Sequence, residues 1–259
     1  MKKILVINIG WEQEPLLDLI SQQENIEVYG VHYNNDYYKS VSYKDLLITD
    51  LRNLQSIIDF AKKIETDAVI SDECDYSHYA QSCISEILSL PGPNIRQAQL
   101  SSNKYLQRLK CKQNNILVPR FSLCADVKEV EDFASKEGLP IILKPIDNRG
   151  SFGVNKIDKT SEIPDAFYDA LINSHARLVL TEQFVEGIHV TVDGYVFQGT
   201  GCKSLALASK GMIGTNRQVA MDILYPGEIS DKIYAKTMKT SESACAALGY
   251  SFGRHIVNT

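Results

Sequence analysis

The chain has 259 residues, of which 44% are hydrophobic and 23% charged, with a formal net charge of -5. This is the balance of an ordinary globular protein with room for one large or two small cores. Mild acidity excludes a protein built to coat nucleic acid or an anionic membrane, and no apolar run approaches the ~20 residues of a spanning helix.

Residues 3–9 (KILVINI) are a short apolar run ending at Gly10, which reads as a buried strand and a turn. The run is too short for a signal-peptide core, and no small-residue cleavage site follows it. An amphipathic stretch with Leu16, Leu17, Leu19 and Ile20 comes next, then a strand over 26–32. Leu54, Ile57, Ile58 and Ala61 recur at helical spacing within Leu51–Ile64, and a strand over 67–71 and a helix over 77–90 complete the pattern. Strands alternating with helices imply right-handed crossovers and a parallel sheet, so residues 1–95 read as a small doubly wound domain. The six cysteines, Cys74, Cys83, Cys111, Cys124, Cys202 and Cys245, form no C-x-x-C pair. They read as reduced thiols of a cytoplasmic protein rather than as a zinc or redox motif.

Pro91-Gly92-Pro93 breaks the chain, and Ser101-Ser102-Asn103 supplies caps for a helix to about Lys112. Beyond Pro119 the pattern gives a strand over 120–124, a helix over 127–137 and a turn at Gly138-Leu139-Pro140. A strand over 141–146 with a hairpin partner over 152–157 follows, then a helix over 162–173 and a strand from Arg177 to Phe184. Segments 188–198, 201–209 and 215–224 read as an antiparallel meander, before a helix over 231–248 and a last strand over 254–258.

Three stretches carry chemistry. In Lys144-Pro145-Ile146-Asp147-Asn148-Arg149-Gly150-Ser151-Phe152-Gly153-Val154 a strand lysine precedes a loop with two glycines and a serine. Such a loop can turn backbone N–H groups onto phosphates above a lysine; the plainer alternative is a tight turn and a lysine whose head reaches water. In Thr181-Glu182-Gln183-Phe184-Val185-Glu186-Gly187 an acid follows an apolar strand. A carboxylate and alternating backbone groups there can read an adenine edge; the alternative is an exposed strand end. Asn103-Lys104 puts a cation in a helix's first turn, which the helix dipole disfavours unless an anion is near; the alternative is solvation on the helix surface.

In order and spacing, these elements resemble the ATP-grasp family over roughly residues 90–255, from Leu90-Pro91-Gly92-Pro93 through Glu182 to Gly187. The resemblance is nearest to its carbamoyl-phosphate-synthase-like and biotin-carboxylase-like branches. It implies a fold of α/β and α+β type: a preATP-grasp, Rossmann-like parallel-sheet domain over 1–95, an ATP-grasp lid subdomain with a preceding linker helix over 96–186, and the start of the C-terminal subdomain over 187–259. It implies that Lys104 and Lys144 contact ATP phosphates and that Gly150, Ser151 and Gly153 form the phosphate loop. It further implies that Glu182 accepts from the adenine amino group, that Gln183 and Val185 offer backbone contacts, and that His189 meets the ribose. Lys210 resembles a position near substrate and phosphates and, with Lys144, is the expected catalytic residue.

The implied activity is that of an ATP-dependent ligase joining a carboxylate to an amine or thiol through an acyl phosphate. ATP and Mg²⁺ are the implied cofactors. The implied partners are a small-molecule carboxylate and a nucleophile acceptor, with neither nucleic acid nor membrane, and homodimer formation is left open. The family's magnesium-binding acids follow a Gly-x-x-His pattern, but Gly253-Arg254-His255-Ile256-Val257 leads to no acid and residues 250–259 contain none. No metal ligand is therefore assigned, and the 259-residue chain is expected to bind ATP without turning it over. The rival reading is a non-catalytic nucleotide-binding module that has lost its metal site.

Overall fold

The computed structural model describes residues 1–72, 74–197, 199–212 and 220–258, without the side chains of Asp75, Met212 and 254–258. The chain divides into two compact units, Met1–Gln99 and Leu100–Thr259.

The first unit contains β1 (Lys2–Ile7), α1 (Glu14–Ser21), β2 (Ile26–His32), β3 (Leu46–Ile48), α2 (Leu54–Ile64), β4 (Ala68–Ser71) and α3 (Asp75–Ile87), and α4 (Ile95–Ser101) spans its boundary. The strands form one parallel sheet in the order β3-β2-β1-β4. Alternation along β1 divides the core: Leu5 and Ile7 pack with Ile57, Phe60 and Ile84, and Val6 packs with Leu17 and Ile20. Helix α2 starts where the Asn53 side chain accepts from the Ser56 N–H at 3.3 Å, and it buries Ile57, Phe60, Ala61 and Ile64, one stripe at helical spacing. Gly30 in β2 is required by packing: a Cβ there would lie 2.6 Å from Ile9 and 2.7 Å from Leu46. The doubly wound reading holds. Strand β3 and helix α4 were not anticipated; one is three residues long and the other has neither an acid in its first turn nor a base in its last to mark it.

The second unit begins with α5 (Lys104–Gln113), β5 (Phe121–Cys124), α6 (Val127–Glu137), β6 (Ile141–Pro145), β7 (Asn155–Ile157), α7 (Ile163–Ile172) and β8 (Val179–Gln183). These strands make an antiparallel sheet in the order β5-β8-β6-β7. One face of it is apolar, where Ile141, Leu143, Ile157 and Val179 pack with Val130 and Phe133 of α6 and Ile163 and Phe167 of α7. A second antiparallel sheet follows from β9 (Val190–Phe197), β10 (Gly201–Met212), β11 (Ala220–Leu224) and, after α8 (Asp231–Ala247), β12 (Gly253–Asn258), in the order β11-β10-β9-β12. Tyr234 and Met238 of α8 cover Val190, Val192 and Leu207. The expected meander is present, but its third segment is described only from 220, because 215–219 of the expected strand lie outside the described residues.

Candidate functional site

The side chains of β6 alternate: Ile141 and Leu143 enter the core, so Lys144 projects from the opposite face. Ile142 of β6 pairs with Glu182 of β8, and Lys144 pairs with Leu180, which places Lys144 and Glu182 diagonally on that opposite face. Their side chains form an ion pair there, with 14% of the lysine and 5% of the glutamate side chain exposed. Arg108 of α5 completes the cluster, its Nε donating to Glu182 Oε1 at 2.5 Å. Burial alone would push the Glu182 carboxyl up, but the charges of Lys144 and Arg108 outweigh it and hold the group below its ordinary range. The Lys144 ammonium is pushed down, first by burial and then by Arg108, against the pull of Glu182. Two plainer alternatives are thereby removed. Glu182 is no exposed strand end, and Lys144 does not send its head to water.

Helix α5 reaches this face through two aromatic contacts on the neighbouring strand β5, Tyr105 edge-on to Phe121 with ring centroids 5.8 Å apart, and Lys112 over the same ring. Its first turn is capped by Asn103, whose side chain accepts from the Leu106 N–H at 3.0 Å. Lys104 is not a solvated surface lysine. Its N–H donates to the Ile146 carbonyl at 2.8 Å, and its ammonium donates to the Asn148 carbonyl at the start of the glycine loop.

The connection between β6 and β7 runs from 146 to 154, longer than the hairpin expected from the sequence, since β7 starts only at Asn155. Its base is fixed. Asp147 accepts from the Ser174 hydroxyl at 2.8 Å and from the N–H groups of His175 and Ala176 at 3.1 and 2.7 Å, and the Asn148 side chain donates to the Asn173 carbonyl at 2.7 Å. Its tip turns through left-handed backbone at Gly150, Ser151 and Gly153. Among the described residues the N–H groups of Gly150 and Ser151 have no protein acceptor. Gly153 has a packing reason as well: a Cβ there would meet Asn173 at 2.9 Å and the Ala170 Cα at 3.1 Å.

Beyond β8 the backbone is partly committed. The Gln183 N–H donates to the Arg120 carbonyl at 2.9 Å and the Phe184 N–H to the Pro140 carbonyl at 3.2 Å, whereas Val185 is exposed. The N–H of Gln183 is therefore unavailable to a ligand, and only its carbonyl remains for the expected contact. His189 and Lys210 come together at the end of the second sheet, where the Lys210 N–H donates to the His189 carbonyl at 2.8 Å. Burial lowers the Lys210 ammonium, with Asp193 pulling the other way. The acids of this sheet are engaged: Asp193 accepts from the Tyr225 hydroxyl, and Asp222 accepts from the Gly211 N–H at 2.7 Å.

A family model for the prokaryotic glutathione synthetase ATP-grasp domain matches residues 107–196. A formate-dependent phosphoribosylglycinamide formyltransferase of Prochlorococcus marinus is 26% identical over 191 residues, covering 71% of this chain and 48% of that protein. A D-alanine–D-alanine ligase of Nitrosospira multiformis is 30% identical over 108 residues, covering 41% of this chain and 35% of that one. The solved biotin carboxylase domain of the Hydrogenobacter thermophilus 2-oxoglutarate carboxylase, in complex with MgADP and bicarbonate, superposes over 99% of this chain with a TM-score of 0.82 at 16% identity, covering 60% of that chain. Residues 107–196 are thus similar to an ATP-grasp domain, and the fold of the chain is that of the solved ATP-grasp structure. The chain spans about half or less of the length of these two curated relatives.

The matched stretch contains Lys144, the glycine loop, Glu182, Gln183, Val185 and His189, whereas Lys104 and Lys210 lie outside it. Sequence reading missed Arg108 and Asp147. Arg108 stands four residues after Lys104, one helical turn along the same side of α5, and that spacing is the signal that could have found it. Asp147 offered no comparable signal, because its partners lie 27 to 29 residues away. A magnesium site does not emerge: among the described residues no group of three or more His, Cys, Asp or Glu side chains gathers. The Arg254–Val257 side chains, singled out above, lie outside the described residues. No described helix is long and apolar enough to cross a membrane.

Proposed function

We propose that this chain binds ATP on the polar face of the β5-β8-β6-β7 sheet and serves as the nucleotide-binding part of an ATP-dependent carboxylate ligase. The observation that carries this reading is the buried cluster of Lys144, Arg108 and Glu182, which has two cations for one anion on the face away from the α6–α7 core. An excess buried cation is costly without an anionic partner, and a triphosphate supplies one. Lys104 and the N–H groups of Gly150 and Ser151 stand at the same loop and add donors to the phosphates. Glu182 reads the adenine amino group, Gln183 and Val185 offer backbone groups, and His189 meets the ribose.

In the ligase reaction the γ-phosphoryl group moves from ADP oxygen to a carboxylate oxygen. The amine or thiol then attacks the acyl carbon, phosphate leaves, and the nucleophile loses its proton. Lys144 and Lys210 balance charge as it moves, which is positioning and electrostatic work rather than covalent chemistry. The described acids do not form a magnesium site, so no step is assigned to metal.

Competition calorimetry tests the binding. A buried acceptor at Glu182 suits adenine's amino group and meets guanine's carbonyl with like polarity, so GTP binds about tenfold or more weaker than ATP. Equal affinity for the two nucleotides removes the assignment of Glu182. ADP release across a panel of carboxylates and amines separates ligase from module.

A further inference from the structure

Glu182 has both carboxylate oxygens occupied in the nucleotide-free protein: Arg108 holds Oε1 at 2.5 Å and Lys144 holds Oε2. That arrangement leaves Glu182 no oxygen to spare for a base and Lys144 no freedom for a phosphate. Both demands are met by one movement. If Lys144 swings from Glu182 to the phosphates, Oε2 becomes free at the moment a nucleotide arrives. Glu182 is only 4% exposed, however, and its carboxylate cannot be left without a cation. Arg108 meets that need. It comes from α5 rather than from the strand that carries Lys144, and its remaining N–H groups can follow the carboxylate.

We infer that Arg108 is a positioning residue that keeps Glu182 ionised and oriented when Lys144 exchanges Glu182 for nucleotide phosphate, so that Glu182 Oε2 can read the base. This rests on the nucleotide reading above and adds a residue and an order of events to it. Arg108 acts through Glu182 and touches no phosphate. A direct phosphate contact by Arg108 is the competing arrangement, and the two differ in whether the effect of Arg108 depends on Glu182.

The test is a double-mutant cycle read by ATP calorimetry on the full chain, with wild type, Arg108→Met, Glu182→Gln and the double variant, each checked for folding by circular dichroism. Arg108→Gln replaces Arg108→Met should the latter not fold. Loss of Arg108 in the wild-type background is expected to weaken ATP binding about tenfold, as for a charge-assisted contact, and to narrow the preference for ATP over GTP. In the Glu182→Gln background, where a neutral amide needs no counter-ion, the same change is expected to cost less than about twofold. Arg108→Lys restores most of the affinity. An equal loss in both backgrounds overturns the inference in favour of a phosphate contact, and an unchanged affinity of Arg108→Met overturns it outright. Failure of the wild-type chain to bind ATP removes the nucleotide reading itself, which is a different result from wild-type binding without an effect of Arg108.

Discussion

The two units treat buried polarity in opposite ways. In Met1–Gln99 the buried polar side chains are neutral, and several of them bond to the chain itself. The Gln13 carbonyl oxygen accepts from the Asn8 side chain and the Gly10 N–H, both at 3.0 Å, while its amide donates to the Asp72 carbonyl at 2.8 Å. Gln81 donates to the Val69 carbonyl at 3.1 Å, and His32 accepts from the Ile9 N–H at 3.3 Å, with its pKa lowered by burial. Leu100–Thr259 instead buries a carboxylate with two cations. A neutral network satisfied by the chain fixes backbone geometry at little cost. A buried ionic cluster is weak evidence for stability, because desolvation cancels much of its attraction, and an excess of one sign points outward to a ligand. The first unit's polar interior is therefore architecture, and the second's is the site proposed above for a nucleotide.

The sharpest way to break this contrast is to remove the anion. Glu182→Ala leaves the buried Lys144 ammonium without its anion and facing Arg108, and is expected to destabilise its unit by about 3 kcal/mol. Gln13→Ala strands neutral groups only and is expected to cost about 1–3 kcal/mol. Urea melts of the two variants compare them, and a Gln13 effect as large as that of Glu182 erases the distinction.

Removing one cation sharpens the comparison. Lys144→Met keeps the apolar stem and leaves Glu182 with Arg108, so the unliganded protein loses less stability than Glu182→Ala does. ATP affinity by calorimetry is expected to fall about tenfold or more, the value of a charge-assisted contact near 1.5–3 kcal/mol. Unchanged affinity in a folded variant means that Lys144 holds the sheet rather than the phosphates.

Acid separates the units more gently. Because the folded Glu182 carboxyl lies below its unfolded value, its contribution is complete above about pH 4.3 and is lost as pH falls through the folded value. The stability gap between wild type and Glu182→Gln should therefore shrink on acidification below that point. A gap that stays constant down to the folded value means the carboxylate's charge contributes nothing.

The smallest effect concerns the loop. Gly150 and Ser151 amides, without acceptors in the nucleotide-free protein, should exchange fast with solvent and slow on addition of ATP, while amides of the β1 ladder in the first unit stay unchanged. Hydrogen exchange with mass spectrometry reads both. Full protection of the loop before ATP is added makes it a plain structural turn.

Local pattern by itself determined most of the sequence of elements, the short β3 and α4 apart. Alternating apolar strands and helices foretold the parallel sheet, α6 was placed at its observed bounds over 127–137, and the ordered series from Lys104 to His189 pointed to the family, because periodicity and turn chemistry act between neighbours. Only tertiary structure decided the state of the charges. The sequence shows Lys144 and Glu182 38 residues apart and shows nothing of Arg108 reaching the same carboxylate, since strand register and the seating of α5 bring them together. The same holds for Asp147, whose partners sit across the α7–β8 connection, and for the Gln183 N–H, taken up by the chain before Phe121. Burial, ionic pairing and the commitment of backbone donors depend on what arrives from distant parts of the chain, and a linear pattern does not encode those arrivals until the sheet is assembled.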